Sequence, residues 1–118
     1  MVPDFENSLQ VLFEAKKHEL YYKLVTQLKK DFELANLDFK LPDPPSPEEL
    51  KMLLHEKVYR LILEQFPEYL NFLYIVDVSE DKVKSIETTD VVDMAEEVSF
   101  LILKREWQKV SLRQRFGS

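Results

Sequence analysis

The stretch Val98-Ser99-Phe100-Leu101-Ile102-Leu103-Lys104-Arg105-Glu106-Trp107-Gln108-Lys109-Val110 decides the fold. Its first six residues suit either a β-strand or a buried turn of helix, because a short apolar run has no period that separates the two. The next seven residues supply that period. With Lys104 at zero and about 100° per residue, Phe100, Leu103, Trp107 and Val110 fall near 240–320°, and Val98, Leu101 and Ile102 near 60–160°. One apolar stripe thus continues for three turns while a second ends. The spacing predicts a helix from about residue 90 to 115 that is apolar nearly all round at 98–103 and lies deep in a bundle. Beyond that point Arg105, Lys109 and Arg113 take over the second arc, which predicts a cationic face turned to solvent, with Trp107 in the core. Acids in the first turns (Asp90, Asp93, Glu96, Glu97) and bases in the last (Lys104, Arg105, Lys109, Arg113, Arg115) match the helix dipole.

Upstream, Phe5, Leu9, Leu12, Phe13, Leu20, Leu24, Leu28 and Phe32 recur at three- and four-residue steps. They predict one long helix from Asp4, its cap, to Leu34, a rod of about 45 Å. Residues 35–47 contain Pro42, Pro44, Pro45 and Pro47, four of the chain's six prolines. Proline lacks an amide proton and extends the residue before it, so this is a semi-rigid crossover, pinned by Leu37, Phe39 and Leu41. Ser46-Pro47-Glu48-Glu49 is a capping-box start for a helix carrying Leu50, Leu53, Leu54, Val58, Leu61 and Ile62. Pro67 ends or kinks that helix near Gln65-Phe66, and a further segment runs at an angle to about Asp77. Ser79 can start a single turn. The expectation is one all-α domain over residues 1–118, a bundle of three to four helices with a proline-rich crossover. The alternative is α+β, with a hairpin around residues 74–86. It lacks a Gly or Asn-Gly turn.

Composition removes several chemistries. The chain of 118 residues has no cysteine and one glycine. Disulfides, cysteine zinc sites, thiol nucleophiles and glycine-rich phosphate loops are therefore out of reach. Asp77, Ser79 and Asp81 have calcium-loop spacing, but Lys82 stands where the loop needs glycine and Thr88 where it needs a bidentate glutamate. His55-Glu56 lacks the second histidine of a helical zinc site, since Tyr59 stands there. A Glu-x-x-His motif is absent too: Ala15 and Met52 precede His18 and His55 by three. The acid pairs Glu48/Glu49 and Glu96/Glu97 sit in opening helical turns, where carboxylates are favoured structurally. Tyr21-Tyr22 and Phe72 to Tyr74 are read as core before they are read as a cavity wall. No cofactor is expected.

The stretches Tyr69 to Glu80 and Ala95 to Val110 together resemble a family of small bacterial proteins with no established activity. The resemblance implies a soluble bacterial protein and carries over no catalytic or binding residue. No secretory start and no apolar run of bilayer length is present, which points to the cytoplasm.

Charge is uneven. Residues 101–118 hold five bases and one acid, and residues 67–100 nine acids and two bases, in a chain of net charge −6. The expected function is non-enzymatic: a helical protein–protein interaction or structural module, through self-association or with an acidic or helical partner. Its surface is the cationic helix end, Lys104, Arg105, Lys109, Arg113 and Arg115. One alternative is a nucleic-acid-associated regulator using the same bases on phosphates, disfavoured by the net charge. The other is a small-ligand protein or enzyme with an aromatic-lined pocket near His55.

Overall fold

The computed structural model describes residues 5–116. They form six helices: α1 (Ser8–Lys17), α2 (Tyr21–Leu34), α3 (Pro47–Glu64), α4 (Phe66–Val76), α5 (Glu80–Lys84) and α6 (Val91–Phe116). The all-α reading holds, and residues 74–86 form no hairpin; among the described residues there is no strand. Six helices replace the three to four expected, because the first is broken in two at residues 18–20 and the turn expected at Ser79 is a short helix of its own.

The largest correction is at residues 18–20. The single helix expected over 4–34 is two, and its expected cap, Asp4, lies outside the described residues. Asn7 is the observed cap, its side chain accepting from the Gln10 amide at 3.0 Å. The break is a Schellman turn: Leu20 N–H donates to the Ala15 carbonyl at 2.8 Å and Glu19 N–H to that of Lys16 at 3.0 Å. Glu19 has a left-handed φ of 59°. The same turn closes α2, with Asn36 left-handed at 59° and Leu37 N–H bonded to the Phe32 carbonyl at 2.9 Å. It also closes α4, with Asp77 at 73° and Val78 N–H on the Leu73 carbonyl at 3.0 Å. In each case an apolar residue, Leu20, Leu37 or Val78, comes after the left-handed one and is wholly or partly buried against the core. That burial holds three non-glycine residues in a conformation that costs an L-residue about 1–2 kcal/mol. Glutamate is the least suited of the three, so Glu19→Gly is expected to raise unfolding stability by about 1 kcal/mol, read from urea midpoints. A loss of stability would mean that the turn is held by something other than its backbone geometry.

The other boundaries are those the sequence predicts. Ser46 and Glu49 close the capping box at 3.1 and 2.9 Å, with Pro47 in the first turn. Pro67 cannot continue α3, which stops at Glu64, and it sits in the first turn of α4 instead. The crossover is pinned as expected, with Leu37, Phe39 and Leu41 partly buried and the Phe39 ring 4.3 Å from that of Phe32. Tyr21 adds a polar tie, its hydroxyl donating to the Pro45 carbonyl at 2.7 Å. Burial, then the neighbouring Tyr22, Glu48 and Glu49, push its phenol up to about 12.

α6 is the axis. Its 26 residues make a rod of about 39 Å, matching the 37 Å long dimension of the molecule. It packs on α1, α2, α3 and α4. Leu103, Trp107 and Val110 of the first stripe and Val98 and Ile102 of the second arc are buried, whereas Phe100 and Leu101, expected equally deep, are only partly covered because no helix packs over their side of α6 completely. Phe72 of α4 stacks on Phe32 of α2 at 4.0 Å, joining both helices to one core. Phe13, placed on the buried stripe by its spacing, is 48% exposed. That spacing presumes an unbroken helix, whereas the chain turns at residue 19. Among the described residues no helix is long and apolar enough to cross a membrane.

Candidate functional site

α2 and α6 run antiparallel, and their contact is polar where their periodicity would make it apolar. Asp31 lies three residues after Leu28 and Glu106 three after Leu103, so each acid stands on a core-facing arc. Asp31 is 2% exposed and Glu106 is fully buried. Lys109 reaches in between them, with Nζ donating to Asp31 Oδ2 at 2.6 Å and lying 2.9 Å from Glu106 Oε1. That second approach is an ion-pair distance without hydrogen-bond alignment, and neither Glu106 oxygen accepts a hydrogen bond. Burial first, and then the neighbouring Asp31 carboxylate, raise Glu106 from its ordinary 4.5 to about 9, although Lys109 pulls the other way. At neutral pH the cluster is one carboxylate, one ammonium and one protonated acid, which sums to zero charge and limits the penalty of burial.

The network runs outward from there. Gln27 Nε2 donates to Asp31 Oδ1 at 3.0 Å, and Arg113 Nη2 donates to Gln27 Oε1 at 2.9 Å. Lys23 Nζ donates to Gln114 Oε1 at 2.8 Å. Above these bonds lies an open groove of about 400 Å³, walled by Tyr22, Lys23, Thr26, Gln27 and Lys30 of α2 and Val110, Arg113 and Gln114 of α6. Three of the lining side chains are cationic, and none is an acid.

The five bases singled out in the sequence do not form one patch. Lys104 Nζ lies over the Phe100 ring at 5.1 Å. Arg105 clamps the end of α4, with Nε on the Asp77 carbonyl at 3.1 Å and Nη2 on the Asp77 carboxylate at 2.8 Å. Lys109 is drawn into the seam, and its side chain is only 17% exposed. Arg113 lines the groove, and Arg115 lies exposed beyond it. The expected cationic face on the arc of residues 105, 109 and 113 is thus only partly in solvent. α2 covers it, and Asp31 supplies the counter-charge.

Spacing along one helix could not reveal the second basic segment. Residues 16–30 carry Lys16, Lys17, Lys23, Lys29 and Lys30 against the single acid Glu19. Antiparallel packing brings this segment to the basic end of α6. The count along α2 was legible; its position beside α6 was not.

A second groove, of about 340 Å³, lies among α1, α3 and α6, with Glu48, Lys51, His55, Glu96 and Ser99 in its walls. Its groups do not assemble a reaction centre. His55 Nε2 is held by the Val92 carbonyl at 2.9 Å, and the Ser99 hydroxyl is buried without a partner, so no base activates it. His18 stands elsewhere, bonded to Glu14 at 2.8 Å with its ring 5.7 Å from that of Trp107. Among the described residues no three metal-ligating side chains converge. The aromatic candidates also separate: Tyr21 and Phe72 are core, while Tyr22 and Tyr74 are exposed.

No family model, curated protein or solved structure matches this chain. The functional reading therefore rests on the surfaces described above.

Proposed function

We propose that this chain is a non-enzymatic helical interaction module that takes an acidic protein segment in the α2/α6 groove. One observation carries this: packing brings two basic segments, residues 16–30 and 101–116, together in an otherwise acidic molecule, around a groove with no acid in its walls. Lys23, Lys30 and Arg113 supply the field, and the amides of Gln27 and Gln114 and the Thr26 hydroxyl supply adaptable hydrogen bonding. Val110 and the exposed Tyr22 give an apolar floor and edge. Complementary charge of this kind sets encounter rate and specificity more than raw affinity, and it is screened beyond about 10 Å at 0.1 M salt. A short acidic segment confined to the groove fits better than a nucleic acid, whose phosphates would extend into the field of the acidic remainder.

The test is fluorescence anisotropy with a labelled Glu/Asp-rich peptide and, separately, a labelled single-stranded oligonucleotide. The peptide is expected to bind at low ionic strength. The triple reversal Lys23→Glu, Lys30→Glu, Arg113→Glu is expected to weaken it at least about tenfold. Preference for the oligonucleotide, with a steep loss of affinity as salt rises, would replace this reading with the nucleic-acid one.

A further inference from the structure

The face of α4 turned away from the core carries Phe66, Leu70 and Tyr74 at every fourth position, 50%, 50% and 82% exposed. The opposite face of the same helix is committed to the core through Tyr69, Phe72, Leu73 and Val76. The outer three amount to a patch on the order of 300 Å², a size that marks contact surfaces on single chains. Its setting is acidic. Glu64 precedes the helix, Glu68 is its one charge, and Asp77, Glu80 and Asp81 come after it; Glu64, Asp77 and Glu80 pair with Arg60, Arg105 and Lys84, which leaves Glu68 and Asp81 to set the sign of the field. The basic groove is accompanied by exposed apolar groups of its own, Tyr22 in its wall and Leu112 and Phe116 on the last turns of α6. One surface is apolar and acidic, the other apolar and basic.

We infer that the acidic partner of the α2/α6 groove is a second copy of this chain, whose α4 face docks against it in a head-to-tail contact. This rests on the reading of that groove as a docking site. Charge decides between this and the symmetric alternative. Packing α4 on α4 would bring two acidic stretches into one field, which opposes association, whereas packing α4 on the basic end brings opposite charges together. The contact joins two different patches, so it is heterologous and adds copies until a ring closes or growth continues. With patches of this size the contact lies at the low end for specific interfaces. Assembly is then weak, rapidly exchanging and sensitive to salt.

Sedimentation equilibrium of the full chain over a wide concentration range tests it. At low ionic strength the average mass is expected to rise above that of the monomer with concentration, and to return to it at high salt. Leu70→Lys, or Tyr74→Lys as a second and more exposed position, spoils the α4 face. Lys23→Glu with Arg113→Glu spoils the basic end. Each variant alone is expected to be monomeric, with its helical circular dichroism and melting unchanged. An equimolar mixture of one of each retains a single good pair of surfaces, and is expected to form a dimer and nothing larger. A wild type that stays monomeric throughout overturns the inference. So does a basic-end variant that still dimerises by itself, which would indicate α4 on α4. A monomeric wild type that nevertheless binds the acidic peptide overturns the self-partner alone and leaves the proposed function standing.

Discussion

Unfolding stability is expected to fall as pH rises through the range from about 5 to 9, and Glu106→Gln to remove that fall. The folded chain holds the Glu106 proton up to about pH 9, whereas an exposed glutamate in the unfolded chain releases it near 4.5. Between those values the folded state binds one proton more than the unfolded state, so raising the pH favours unfolding. The contribution is complete below the lower value and is lost as pH climbs through the upper one. Its slope approaches about 1.4 kcal/mol per pH unit. Physically, ionising Glu106 turns a neutral cluster into one with two buried carboxylates and a single ammonium. Glutamine keeps the shape and a hydrogen-bond donor, and it has no proton to lose. Urea denaturation of both proteins at several pH values reads the effect. Wild type and variant should differ little near pH 5 and diverge towards pH 9, the variant being the more stable. Curves that stay parallel across the range would show that Glu106 is ionised, or unburdened, in the folded protein.

The second large effect is at Lys109. Lys109→Ala is expected to cost about 3–5 kcal/mol, because it leaves the Asp31 carboxylate, 2% exposed and 2.6 Å from the lost ammonium, as an uncompensated buried charge. Arg115→Ala, on an exposed side chain of the same helix, should stay within about 0.5 kcal/mol. The contrast matters because the sequence reads both residues as bases of one solvent-facing helix end. Adding Asp31→Asn to the Lys109→Ala protein should restore much of the loss by removing the stranded charge. Thermal melts of the three variants suffice. If Lys109→Ala proves as mild as Arg115→Ala, Lys109 is a surface cation and the seam is not held by charge.

The candidate site is legible in pieces. The basic end of α6 can be counted directly along residues 101–118, and Asp31 and Glu106 can be recognised as acids standing on apolar stripes. A helical wheel also places Lys109 beside Arg105 and Arg113 correctly. It cannot place α2 over that arc, because a wheel describes one helix without its neighbours. Spacing alone therefore assigns Lys109 to solvent, when the buried Asp31 carboxylate 2.6 Å away draws it into the seam. The helix count shows a similar limit. Breaks at Pro67 and Ser46 are written in residue chemistry, a missing amide and a capping hydroxyl. The break at Glu19 is not, because it depends on where the succeeding Leu20 finds a core to enter.

By itself, then, the order of residues determined that the chain is helical, that residues 98–103 run through its centre, where the crossover lies, and which cysteine- and glycine-dependent chemistries are closed to it. These rest on local periodicity, proline geometry and composition, which need no neighbours. Tertiary packing alone decided that two basic segments lie side by side, that Glu106 is buried against Asp31 and Lys109, and that α4 leaves Phe66, Leu70 and Tyr74 outside. Each of these depends on distances between groups far apart in the chain, and only the folded arrangement sets those distances.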